Sequence, residues 1–191
     1  MRPVIGWSIV VIGIGACGIG ALGLFLSGRS SSLDLNRLAA AGAIRRDAPV
    51  QAAAEIVIAA PVERVWKILA DIKDWPTWQA DIGAVSIARE PALDVPFSWS
   101  SGGATIHSSI RLFQPGHALG WTGLALTLHA AHIWMLKPLA DGGTQVDVRE
   151  SMEGWPISWV MTSAELHEND QNWLVALKRA VEGSSPSAAR P

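Results

Sequence analysis

The chain has 191 residues, 49% of them hydrophobic, with 15 Lys+Arg, 17 Asp+Glu, 10 Trp and no Tyr. That suits one domain of about 100–150 residues plus an appendage and excludes disorder. A net charge of -2 offers no basic field for nucleic-acid phosphates, and the single Cys17 lies in an apolar run, which excludes a disulfide framework and a Cys-based zinc site.

Residues 4–26 carry no charge, and Ser8 is the only interruption; as a helix this run spans roughly 34 Å, enough for a bilayer core. The expectation is a single transmembrane helix with Trp7 as an interfacial anchor. A cleaved signal peptide normally has a shorter apolar core, and no small-x-small cleavage site follows Leu26. Gly13, Gly15 and Gly18, and again Gly18, Gly20 and Gly23, match a dinucleotide fingerprint by spacing only, because an unbroken membrane-length run provides no βαβ unit around them. Ala16 and Gly20, four apart, give a face through which two such helices would pair as a homodimer. Arg29, Arg37, Arg45 and Arg46 follow the run while only Arg2 precedes it, so the count favours a soluble domain on the cytoplasmic side of a single-pass anchor in the cell membrane. A very short tail before the run is also how anchors with an outside domain begin.

Residues 27–49 read as a linker, with a short helix over 33–44, and 183–191 as a tail too poor in apolar groups to fold. Between them lies one domain, 50–182. A first strand covers 55–60, and Pro61 opens a helix in which Val62, Val65, Trp66 and Leu69 repeat at helical spacing. Trp75 and Trp78 mark a short helix or turn. Six runs with period-two character follow, at 82–90, 95–101, 104–113, 117–123, 129–138 and 144–153, separated by Pro and Gly breaks. Serial strands joined by short turns predict an antiparallel meander. From 157 to 182 the period turns helical, and this long helix must cover the sheet's dry side.

Two strands state their faces. Ile106, Ser108, Ile110 and Leu112 oppose Thr105, His107, Ser109 and Arg111, while Val146, Val148, Glu150 and Met152 oppose Gln145, Asp147, Arg149, Ser151 and Glu153. The whole pattern, from Ala60-Pro61 and Trp66 through Asp71, Trp75, Trp78, Trp121, His132, Trp134 and Gly143 to Glu150 and the final helix, resembles the START-like superfamily, specifically polyketide cyclase/dehydrase-type SRPBCC proteins. The resemblance covers residues 50–182. It implies an α+β helix-grip, a curved antiparallel sheet around a long C-terminal helix with a cavity between them, and an apolar lipid-like or polyketide-like ligand. It carries over no catalytic residue, because the family has no universal catalytic signature and fold alone does not fix function.

Polar residues on dry faces are the informative ones, since burying them unpaired costs about 1–3 kcal/mol. A three-residue loop over 140–142, with Gly142 left-handed, puts His132 opposite Glu150, Trp134 opposite Val148 and Leu136 opposite Val146. On the last helix Asp170 falls within the stripe of Leu166, Trp173, Leu177 and Val181, and needs a partner such as His132, Ser108, ligand or water. The expected cavity lining is therefore Trp99, Ser108, Ile110, Trp121, His132, Trp134, Val148, Glu150, Asp170 and Trp173, with Trp75 and Trp78 at its entrance. With its single Cys17 in the apolar run and no evident His/carboxylate trio, the sequence predicts neither metal nor other cofactor. Three functions fit: a membrane-tethered binder of an apolar small molecule or lipid, a cyclase or dehydratase working by acid/base chemistry through Glu150, His132 or Asp170, and an interaction domain with a filled core.

Overall fold

The computed structural model describes residues 34–183. The apolar run 4–26 and the segments 27–33 and 184–191 lie outside the described residues, among which no helix is long and apolar enough to cross a membrane.

The described chain opens with a helix over residues 34–40, α1. It continues through β1 (Val50–Ile58), α2 (Val62–Ala70), a 3-10 turn (Ile72–Asp74), α3 (Trp75–Trp78), β2 (Ile82–Ile87), β3 (Pro96–Ser101), β4 (Ala104–Gln114), β5 (Ala118–Ala125), β6 (Leu128–Pro138), β7 (Thr144–Glu153), α4 (Ile157–Val160) and α5 (Ser163–Gly183). The seven strands form one antiparallel sheet in the order β1-β7-β6-β5-β4-β3-β2, so the meander runs on unbroken and β1 adds to the β7 edge. With α5 packed on one face of the sheet, this is the α+β helix-grip expected from the pattern.

The β6–β7 register is the expected one: His132 faces Glu150, Trp134 faces Val148 and Leu136 faces Val146, with Gly142 at φ 85° in the turn. β1 begins earlier than its alternation suggests, at Val50 opposite Met152, because Ala52, Ala53 and Ala54 give period two nothing to display. The final helix is split. Met161 is extended (φ -152°, ψ 142°), and α5 starts afresh on a capping box in which Thr162 N–H donates to the Glu165 carboxylate and Glu165 N–H donates to Thr162 Oγ1.

One alternation breaks. The register between β4 and β5 shifts between Ile110 and Leu112, so Arg111 is an extra residue. Ile110 consequently packs inward with Trp121 while Leu112 turns to the opposite face, a correction to the single dry face Ile106–Leu112 expected from the sequence. Leu112 meets Ala118, Ala131, Ile133 and the α1 residues Leu35 and Ala39. Part of the stretch expected as linker thus covers the convex face of the sheet. It also buries Ser151 and Glu153, which the alternation had placed on a wet side: Arg45 N–H donates to Ser151 Oγ, and the Arg45 guanidinium lies 2.6 Å from the Glu153 carboxylate. Gly120 sits beneath this layer because a Cβ there would lie 2.7 Å from Ile133 Cδ1.

Candidate functional site

The concave face is built by rows of residues paired across the strands. One row runs Ile110, Trp121, His132, Glu150, Ala52, and Asp170 of α5 is laid against it. His132 is 4% exposed and Asp170 1%. His132 Nδ1 lies 3.2 Å from Glu150 Oε2, and His132 Nε2 lies 3.9 Å from Asp170 Oδ1. The imidazole also stacks on Trp121 (ring centroids 4.5 Å apart, 25° between planes) and lies parallel to Trp134 at 5.6 Å. Alternation on β6 delivers both neighbours, since residues two apart along a strand and residues opposite across it share a face.

The other expected residues gather around this row. Trp121, Trp134, Val148 and Trp173 are buried in the same core as Ile110. Trp173 of α5 meets Trp75, Trp78, Trp99, His132 and Trp134 at centroid separations of 5.3–6.2 Å, mostly edge to face. Ser108 is buried but does not reach Asp170; its hydroxyl instead accepts the Trp99 indole N–H at 3.1 Å. Trp78 is half-buried, whereas Trp75, expected beside it at an entrance, is fully buried at the centre of the aromatic cluster. The turn through Ile72–Asp74 swings Trp75 inward, and its indole N–H donates to the Leu69 carbonyl. Sequence reasoning missed Phe97, which packs edge-on against Trp75 and Trp121 and was legible from its period-two spacing to Trp99. It also missed Gln79, which is buried after α3 and gave no sequence signal.

Several buried polar atoms here lack a hydrogen-bond partner: His132 Nε2, Gln79 Nε2, and the indole nitrogens of Trp78 and Trp134; the Asp170 carboxyl bonds to that of Glu150. Burial pushes the His132 imidazole down to about 3 and the Asp170 carboxyl up to about 7. Glu150 is held well above the usual carboxylate range, first by burial and then by the Asp170 carboxylate beside it. Near neutral pH the group therefore holds a neutral imidazole beside two carboxyls that hold their protons more tightly than usual, Asp170 close to its midpoint. Such a set can donate and accept hydrogen bonds toward a polar atom of a ligand, and can also relay a proton.

The sequence assigned no metal for want of a His/carboxylate trio, and the fold assembles one, with donor atoms of His132, Glu150 and Asp170 within 4.8 Å of one another. The imidazole stands between the carboxylates, presenting one nitrogen to each. A single ion would take one imidazole nitrogen and an oxygen from each carboxyl.

Residues 49–182 match the family model described as polyketide cyclase / dehydrase and lipid transport. The chain belongs to that family. Its fold is shared by solved structures at low identity: a hypothetical protein from Helicobacter pylori (TM-score 0.66, 16% identity, covering 72% of this chain and 91% of that one), a START superfamily protein from Mycobacterium smegmatis (0.61, 16%, 70% and 97%), and the Zhui aromatase/cyclase from Streptomyces sp. R1128 (0.60, 18%, 74% and 98%). No curated protein matches the sequence. The family domain thus shares its fold with these structures, and residues 34–48 are described structure lying outside the family match.

Proposed function

We propose that this protein is a membrane-tethered START-like binder of an apolar, ring-bearing small molecule carrying a hydroxyl or carbonyl, closer to a polyketide than to a plain acyl chain, held between the sheet and α5. One observation carries the reading: the buried, unpartnered His132 Nε2 and Trp134 indole nitrogen sit in a core walled by aromatic rings. Buried polar atoms are normally satisfied, and each orphan costs about 1–3 kcal/mol, so a recurring set in one place signals a partner that arrives. Indole faces and edges suit a flat ligand, while the neutral imidazole and the two carboxyls orient its polar group. The apolar run 4–26 supports the tether, and the arginines after it favour a cytoplasmic domain.

A second reading, acid/base turnover of the same ligand, is favoured by Asp170 lying near neutrality beside Glu150, whose carboxyl burial also pushes up. Native mass spectrometry of the full chain, purified from its own host, tests the first. A co-purifying apolar molecule whose retention weakens in Asp170→Asn and His132→Leu supports binding at this site. No such mass, and no thermal shift with a panel of aromatic polyketides and lipids, overturns it in favour of a filled-core interaction domain. Glu150→Gln separates the two readings once a ligand is known: a carrier keeps binding unchanged, whereas an enzyme keeps binding and loses turnover.

A further inference from the structure

At one end of the sheet the described surface is apolar and aromatic. Leu126, at the tip of the β5–β6 turn, is 86% exposed, and Trp155 and Trp159, flanking the start of α4, are 58% and 81% exposed; Val160 is exposed beside them. The turn and the β7–α4 junction form one continuous edge. Thr127 Oγ1 donates to the Trp155 carbonyl, and a Cβ on Gly154 would clash with the Thr127 carbonyl, so the two segments touch through backbone. The two indoles meet at a centroid distance of 5.8 Å and 65°. Indoles, with an apolar body and one N–H, favour the interface between hydrocarbon and water over either phase alone.

The chain reaches the domain at this same end. Leu35 and Asn36 share a concavity of about 230 Å³ with Leu124 and His129, the residues just before and just after the β5–β6 turn, whereas Gly42, past the other end of α1, lies near Leu112 and Met135. The first turn of α1 therefore points toward Leu126. Seven residues, 27–33, separate Asp34 from the end of the uncharged run at Leu26, and they reach no more than about 25 Å even when fully extended.

We propose that Leu126, Trp155, Trp159 and Val160 form a docking edge that seats the domain on a lipid bilayer, with this end of the sheet against the headgroups. This rests on reading residues 4–26 as a membrane anchor, which holds the edge within reach of the surface. Trp78, half-buried, leads into β2 at the same end of the sheet.

The test uses the full chain in phosphatidylcholine vesicles, in a Cys17→Ser background with a single environment-sensitive fluorophore on Trp159→Cys or, at the opposite end of the sheet, on Asp141→Cys. Alkaline carbonate washing reports anchoring separately. The expected result is a chain that resists carbonate, with the label at 159 blue-shifted and quenched several-fold more strongly by doxyl-lipid than the label at 141. Equal quenching at the two positions in a carbonate-resistant chain overturns docking and leaves the anchor standing. Release by carbonate overturns the anchor, and quenching at 159 on added vesicles then decides docking alone. A shift at 159 that grows with protein concentration without lipid assigns the edge to a second copy of the chain and overturns the bilayer as its occupant.

Discussion

On the convex face of the sheet, polar groups near the core have partners within the chain. Thr122 Oγ1 and Arg111 Nε both donate to Asn36 Oδ1, at 2.7 and 3.1 Å, Arg111 also pairs with Asp94, and Arg45 pairs with Glu153. On the concave face, deeper and richer in aromatic surface, the Glu150 and Asp170 carboxyls bond to each other, but His132 Nε2 and the Trp134 indole nitrogen have no hydrogen-bond partner. The same sheet, built from the same alternating strands, thus carries a finished interface on one side and an unfinished one on the other. A fold selected for stability alone would have no reason to leave the more buried side less satisfied.

Three tests break or sharpen that contrast. Trp75→Ala removes the ring that meets Phe97, Trp99, Trp121 and Trp173 and is expected to cost about 3–5 kcal/mol in urea unfolding, where Leu35→Ala on the convex side costs about 2–3 kcal/mol. A smaller loss at Trp75 than at Leu35 would mean that the aromatic compartment contributes little to the fold.

The second test is pH. From ordinary values of 3.8 and 4.5, Asp170 and Glu150 are both raised on folding, so across and above that range the folded chain holds protons that the unfolded chain has released, and stability falls as pH rises. His132, lowered from 6.5, acts in the opposite sense below that value. Two carboxyls outweigh one imidazole, so the melting temperature should drop on the order of 5 °C between pH 5 and pH 8, and Asp170→Asn should flatten much of the drop. A melting temperature that rises over this interval would show that the carboxyls are already paired.

The third and smallest effect belongs to Asn36→Ala. It should cost about 1 kcal/mol with no change in pH dependence, as loss of an ordinary satisfied hydrogen bond would.

Much of the fold was legible because period two and period 3.6 survive wherever one side is wet and the other dry. The β6–β7 hairpin shows this best: a turn glycine and two alternating strands suffice to set Glu150 opposite His132. Legibility failed where the physics is not periodic. The extra residue at Arg111 shifts the phase of β4 partway along, and nothing in its local sequence announces it. Ser151 and Glu153 were read as solvent-facing because the segment that covers them lies a hundred residues away in sequence. Trp75 and Trp78 look alike in a four-residue stretch, yet one is central and the other half-open, since a single 3-10 turn sets their directions. The trio of His132, Glu150 and Asp170 was seen as three polar intruders, but bringing them within 4.8 Å required the crossing of α5 over the sheet, which no pattern within either element contains.

The layer formed by α1 and the stretch after it starts fifteen residues before the family match does. Whoever trims this protein to the homologous segment would strip the cover from Leu112, Ala118, Ala131 and Ile133. An isolated family unit would then present a bare aliphatic plate on its back, prone to sticking to itself, and its poor behaviour in solution would say nothing about the chemistry of the front.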